Sequence, residues 1–334
     1  MTKKKPIFTL LIVLLAMIVA AGCGASNAKN EEGTNEGQAS TTENAVTYPI
    51  TIKHMKGETV VEKRPERVAA ADFVVLEHMF ALDRSPVATG NYDTAKGFPI
   101  YQPYLEKYPD IIALSSDYST PLNYEKLLES DPDLIIAYDW ANIDYDKASK
   151  IAPTIVIDSK LNGGYTDGKD AFSYGLEQIA TAIDAKDAYA AFTKKFNDQV
   201  AATKKIIEDK GLTGKTVLFL MAGEKTNYVY DINFYYEKFG LAPVKELHQN
   251  EKIAGGIDLE TLVKANPDLL FLAEDYTNRT GAVEKLKANE AFKQIAAAKN
   301  GQVYDIDTAA FGPTAVGKMY GVEWIGKIIA EQAK

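Results

Sequence analysis

Two glutamates, Glu125 and Glu260, occupy matched places in a 334-residue chain, each seven residues before a Pro-Asp-Leu triplet at 132–134 and 267–269. Carboxylates can serve as general acids or bases, ligate metals, stabilise helix starts or meet a cationic partner. The other reactive side chains narrow that choice. His54, His78 and His248 show no spacing that would gather them on one metal, and a single cysteine, Cys23, excludes an intrachain disulfide or a zinc site of paired thiolates. Gly163 to Lys169 has the spacing of a phosphate loop, but Asp170 stands where a magnesium-binding Ser or Thr is required. Gly214-Lys215-Thr216 has the right ending, yet Asp209 replaces the first glycine and the chain continues as a strand. Ser26-x-x-Lys29 lies in a polar segment with no helix to carry it, and neither G-x-S-x-G nor H-E-x-x-H occurs. No catalytic residue and no metal site are expected.

The elements that position the two glutamates read alike. Each unit predicts a short helix opened near Asn123 or Asp258, ended before the proline, and followed by a buried strand. Both glutamates then sit in first helical turns. There a carboxylate stabilises the helix by about 0.3–1 kcal/mol in any protein, but its recurrence in both halves points to a shared external role. Strands are expected at 50–53, 68–71, 87–89, 111–114, 134–137 and 154–157, then at 216–221, 269–272 and 303–306, alternating with amphipathic helices as in α/β proteins. Between the two series, Tyr189, Phe192, Phe196, Val200, Thr203 and Ile207 follow helical spacing, giving a helix of roughly 33 Å.

Length suggests two domains, and 46% hydrophobic with 25% charged residues excludes disordered, collagenous and polytopic membrane chains. Lys3, Lys4 and Lys5 precede an apolar run from Ile7 to Ala21, short of the roughly 20 residues of a membrane span, so residues 1–22 read as a secretory signal. The run ends Val19-Ala20-Ala21-Gly22-Cys23, which resembles the lipobox of bacterial lipoproteins. That resemblance implies lipidation at Cys23, with palmitate-like chains holding the protein to the membrane. Losing the leader removes three lysines, taking the net charge from -9 to -12. So acidic a chain does not suit nucleic acid. Residues 23–47 have few large apolar side chains and read as a tether with a reach of about 25–30 Å.

Taken together, the lipobox, residues 51–70, the two Glu/Pro-Asp-Leu units, residues 146–158, the long central helix and residues 291–307 resemble the siderophore-binding lipoproteins of bacterial ABC importers. The resemblance spans 48–330 and falls within the wider family of iron-siderophore, haem and cobalamin binding proteins. It implies an α/β fold of two Rossmann-like lobes bridged by a single long α-helix, with ligand in a shallow cleft and little domain closure. Its expected divisions are a lipoprotein signal at 1–22, a tether at 23–47, an N-terminal lobe at 48–165, connecting helices at 170–210 and a C-terminal lobe at 214–334. It also implies that Glu125 and Glu260 dock onto arginines of two permease subunits. The implied protein is a monomeric, non-enzymatic receptor on the extracytoplasmic face of the cell membrane. Its ligand is an iron(III)-siderophore complex, and no cofactor of its own is expected. Haem or corrinoid binding on the same fold is the alternative, ahead of a surface hydrolase or an adhesion lipoprotein.

Open α/β sheets bind ligands past the carboxyl ends of their strands. That rule nominates Tyr92, Lys96, Tyr138, Trp140, Lys225, Tyr276, Arg279 and Phe311, with Asp72, Phe73, Tyr228, Tyr230 and Pro313 beside them. Only Arg64, Arg67, Arg84 and Arg279 follow the leader as arginines, so a weakly charged or mixed-donor complex fits better than a strongly anionic one.

Overall fold

The computed structural model describes residues 46–334 apart from 142, 160–172, 231, 249–252, 275–279 and 334. The signal, the tether up to residue 45 with Cys23, Tyr276, Arg279 and residues 163–170 lie outside the described residues.

A hairpin of β1 (Ile50–His54) and β2 (Gly57–Val61) leads into the first sheet. This contains β3 (Val68–Ala70), β4 (Ala88–Thr89), β5 (Ile112–Ala113), β6 (Leu134–Tyr138) and β7 (Thr154–Ile157), all parallel, in the order β5-β4-β3-β6-β7. β6 and β7 are buried throughout, as expected of apolar runs in a sheet covered on both faces. The chain runs outward from β3 and returns beside it at β6, so a topological switch point lies between those strands. The intervening helices are α1 (Phe73–Ala81), α2 (Tyr92–Gly97), α3 (Gln102–Lys107), α4 (Tyr124–Glu129) and α5 (Tyr145–Ala148).

Next come α6 (Ser173–Ala182) and α7 (Lys186–Asp209); at 24 residues α7 is about 36 Å long. The second sheet is built from β8 (Thr216–Ala222), β9 (Asn227–Tyr230), β10 (Ala242–Pro243), β11 (Ile253–Ile257), β12 (Leu269–Glu274) and β13 (Val303–Asp305). Its order is β11-β9-β8-β12-β13, with β10 also on β8. β8, β12 and β13 run parallel, whereas β9 is antiparallel to β8 and β11. The helices of this half are α8 (Asn233–Phe239), α9 (Leu259–Ala265), α10 (Ala282–Ala288), α11 (Ala296–Lys299) and α12 (Ala315–Gln332). The molecule therefore has two α/β lobes bridged by α7.

Of the strands not anticipated from sequence, β10 has two residues, β2 and β9 carry few buried residues, and β11 reads Ile-Ala-Gly-Gly-Ile. In β9 only Val229 is buried, so the apolar periodicity that marks a strand is nearly absent there.

Both Glu/Pro-Asp-Leu units use the aspartate in the same way. Asp133 accepts the backbone N–H groups of Glu66 and Arg67 at 2.9 Å each, just ahead of β3. Asp268 Oδ2 accepts the N–H and the hydroxyl of Thr216, both at 2.9 Å, at the start of β8. β6 follows Asp133 and pairs with β3, and β12 follows Asp268 and pairs with β8, so each carboxylate sets the register of its lobe's central strand pair.

One apolar cluster joins the lobes. It runs from Val68, Leu76 and Ile136 through Leu176, Phe196 and Ile207 to Phe219, Phe271, Val322 and Ile325. α7 and α12 pack closely, and Thr203 Oγ1 donates to the Val322 carbonyl at 2.9 Å. Among the described residues, no helix is long and apolar enough to cross a membrane.

Candidate functional site

A cleft of about 400 Å³ opens between the two sheets. Its first wall comes from the switch point and the helices beside it: Phe73 and Val74 in the first turn of α1, Trp140 just past β6, and Thr94, Phe98, Tyr101 and Tyr118. The second wall is Met221 at the end of β8, Tyr230 at the end of β9, and the segment before α12 that includes Thr308, Pro313 and Thr314. The described lining is aromatic and hydroxylic, and none of it carries a charge. Such a surface offers flat apolar faces to a ligand's body and a few hydrogen-bonding groups to its edges.

Asp72 builds the first wall. It is fully buried, caps α1 by accepting from Val74 N (2.8 Å) and Val75 N (3.0 Å), and holds the end of β6 through Tyr138 N (2.7 Å). One carboxylate thus joins the ends of the two strands that flank the switch point. Burial raises its pKa from 3.8 to about 6.

Behind the wall, α1 carries Glu77 and His78, both 0% exposed. The His78 Nε2 is 2.9 Å from the Tyr138 hydroxyl, and the Tyr138 ring stacks on Trp140 with centroids 4.5 Å apart and planes 3° from parallel. Trp140 is therefore held in the cleft by a ring that is itself anchored from below. Glu77 Oε1 accepts from the Tyr101 hydroxyl at 2.7 Å and from Gly317 N, in the first turn of α12, at 2.7 Å. Burial pushes the Glu77 carboxyl from 4.5 up to about 7 and the His78 imidazole from 6.5 down to about 3.

The nominated residues fall in different places. Trp140 lines the cleft, as do the neighbouring candidates Phe73, Tyr230 and Pro313. Tyr138 supports Trp140 from behind, and Phe311 is buried against Tyr230 and Phe219, with ring centroids at 4.9 and 5.9 Å. Lys96 lies over the Tyr92 ring at 4.5 Å and pairs with Asp93 at 3.2 Å, outside the described lining. Lys225 borders a separate depression of about 230 Å³ with Glu224, Asp258 and Lys285. Glu125 and Glu260 are exposed in the first turns of α4 and α9, whose caps Asn123 and Asp258 accept from Lys126 N (3.0 Å) and Thr261 N (2.8 Å).

Thr94, Phe98, Tyr101, Tyr118, Thr308 and Thr314 were not nominated. They lie in the segments that follow β4, β5 and β13, where the strand-end rule marks a stretch of chain but does not distinguish the residues that face the cleft from their neighbours. For Glu77 a signal did exist: Glu77-His78 is the only ionisable pair in the otherwise apolar helix FVVLEHMFA. Among the described residues, no group of three or more His, Cys, Asp and Glu side chains is placed to hold a metal ion.

A family model described as "Periplasmic binding protein" matches residues 58–310. The petrobactin-binding protein YclQ of Bacillus subtilis is 27% identical over 315 residues, covering 90% of this chain and 91% of that protein. The Fe(3+)-citrate-binding protein YfmC of the same organism is 26% identical over 310 residues, covering 91% and 90%. In fold, the chain is similar to the crystal structure of YclQ with a TM-score of 0.68 at 24% identity, covering 85% of this chain and 99% of that one. It is also similar to the Bacillus subtilis triscatecholate siderophore binding protein FeuA complexed with ferri-bacillibactin, with a TM-score of 0.66 at 20% identity, covering 85% and 99%.

Proposed function

The chain belongs to the periplasmic binding protein family, and from that premise we propose that it captures a ferric siderophore in the inter-lobe cleft and delivers it to an ABC permease for iron uptake. The observation that carries this reading is the aromatic, hydroxyl-bearing cleft at the switch point, with Trp140 held flat by Tyr138. Relatives whose names specify ferric ligands, petrobactin and ferric citrate among them, support the ligand class. Iron arrives fully chelated, so the protein recognises the surface of the complex and acts as a receptor rather than an enzyme, with no cofactor of its own.

The lining suits a near-neutral hydroxamate or mixed-donor complex better than a trianionic catecholate, because stacking and hydroxyl donors need no counter-charge. Of the nominated residues, Trp140 makes the central contact. Tyr138 and Phe311 back the walls, Tyr92 and Lys96 stand beside the first wall, Lys225 lies on the second lobe, and Tyr276 and Arg279 supply contacts after β12. The lobes are 48–165 and 214–334 with connecting helices at 170–210, and the receptor works as a monomer. Residues 1–22 direct export, Cys23 carries the lipid, and the tether holds the receptor at the extracytoplasmic face. Glu125 and Glu260, exposed on equivalent helices, meet cationic residues of the two permease subunits.

Titrating intrinsic fluorescence with ferric hydroxamate, catecholate and citrate complexes tests the reading. The hydroxamate or mixed-donor complex should quench most tightly, and the signal should vanish in Trp140→Phe while Trp324 remains. No quenching by any complex below about 10 μM, roughly -7 kcal/mol, would sink the proposal.

A further inference from the structure

A carboxylate with no exposed surface costs several kcal/mol to bury unless hydrogen bonds replace its water. Glu77 meets that cost with partners drawn from both lobes. Its own helix, α1, belongs to the first lobe, as does Tyr101, whose hydroxyl donates to Oε1. Gly317 lies 240 residues away in the first turn of α12, where amide groups lack helical partners and the positive end of the helix dipole favours an anion. The approach is tight. A Cβ on Gly317 would lie 2.3 Å from the Ala309 carbonyl oxygen and 2.4 Å from Thr314 Oγ1, so only glycine lets the helix start fold against this segment.

The position of this contact matters as much as its strength. Tyr101 and Thr314 both line the cleft, one on each wall, and Glu77 stands directly behind them. The Glu77 contact therefore links one wall to the other. Its second oxygen faces His78 Nδ1 at 3.8 Å, on the side that supports Tyr138 and Trp140. Adjacent residues of α1 therefore brace the two aromatic features of the first wall.

We propose that Glu77 is a positioning residue that pins the two lobes together beneath the cleft and sets the spacing between its walls. This rests on reading the cleft as the ligand site, but the pinning itself is a property of the ligand-free protein. The test uses the mature chain with Cys23→Ser and spin labels at Glu129→Cys on α4 and Glu284→Cys on α10, both exposed. Double electron-electron resonance then gives the distance distribution between the lobes without ligand. The parent protein should give one narrow distribution. Glu77→Gln keeps an acceptor oxygen for Tyr101 and Gly317, so its distribution should stay narrow and its affinity for a ferric hydroxamate within about threefold.

Glu77→Leu has similar volume and no acceptor. Its distribution should broaden, and affinity should fall about ten- to hundredfold, while circular dichroism still shows a folded protein. If Leu at this position prevents folding, Glu77→Asp, one methylene too short to hold both partners, is read in the same way beside Tyr101→Phe. A narrow distribution in every folded variant that lacks the contact overturns the proposal. If instead the siderophore reading fails, the affinity arm is silent in all proteins while the distance arm still responds to Glu77.

Discussion

At the residue scale, the cleft depends on side chains that never reach it. A Cβ on Gly175 would lie 1.7 Å from the Tyr138 hydroxyl oxygen and 2.7 Å from its Cζ, so Gly175→Ala must displace Tyr138, break its contact with His78 and tilt Trp140. Gly175→Ala should therefore weaken ligand binding about tenfold from outside the cleft, as titration of Trp140 fluorescence will report. Unchanged affinity in a folded Gly175→Ala protein would show that Trp140 does not need this support. Glu77 makes a separate prediction about pH. Its carboxyl rises from 4.5 to about 7 on folding, so the native state holds a proton that the unfolded chain has already released. Its contribution is fully present below about pH 4.5 and is lost as pH rises through 7, a swing on the order of 3 kcal/mol. Asp72 acts in the same direction between 3.8 and about 6. His78 acts in the opposite one: its contribution is present above 6.5 and is lost as pH falls toward 3. Because these slopes compete, the clean observable is a difference. The melting temperature of the parent minus that of Glu77→Gln should be highest near pH 4.5 and fall steadily to pH 8; a flat difference would mean that Glu77 titrates normally.

At the scale of elements, the two Glu/Pro-Asp-Leu units separate the structural role of the aspartates from the docking role proposed for the glutamates. The aspartates hold the chain just ahead of β3 and at the start of β8, so Asp133→Ala and Asp268→Ala should each cost about 1–2 kcal/mol in urea midpoints. The glutamates point outward from α4 and α9. Reversing both Glu125 and Glu260 to Lys should abolish siderophore-dependent growth while ligand affinity stays at the parent value; surviving uptake would remove the docking role from them. The contrast also shows how far the sequence could be read. Apolar runs such as Leu134–Ala137 and Leu269–Leu272 announce buried parallel strands, and Asn123 and Asp258 announce their helices. β9 and β11 carry no period-two apolar signal, because β9 has one buried residue although it is paired on both sides, and the edge strand β11 reads Ile-Ala-Gly-Gly-Ile. In the cleft, strand-end reasoning reached Phe73, Trp140 and Tyr230. It could not tell that Tyr138, the last residue of β6, is buried behind Trp140 and supports it, since every residue of β6 is buried and the alternation of faces gives no contrast there. Tyr101 and Thr314 were out of reach because only the tertiary fold brings residues 213 positions apart to one cleft.

At the scale of the molecule, three features oppose a hinge. The apolar cluster runs without interruption from the first sheet through α7 to the second, so parting the lobes would expose residues such as Phe196 and Val322 that are now buried. The bridge is one continuous helix of 24 residues, with α12 bonded to it through Thr203 and Val322. Glu77 ties the start of α12 to α1 on the cleft side. A receptor that closes by many degrees needs flexible crossover strands and a thin inter-lobe contact, and the described residues show neither. Ligand binding should therefore leave the lobes within about 1 Å of their ligand-free positions, with adjustment confined to side chains such as Tyr118 and Trp140. Small-angle X-ray scattering on residues 46–334, whose expected radius of gyration is about 19 Å, should give superimposable curves with and without a saturating ferric complex. A contraction of 1 Å or more on loading would show that the shared core slides or opens. On the proposed delivery to a permease, such a contraction would give it a loaded shape to recognise; with no contraction, the ligand's own surface is what would distinguish a loaded from an empty receptor.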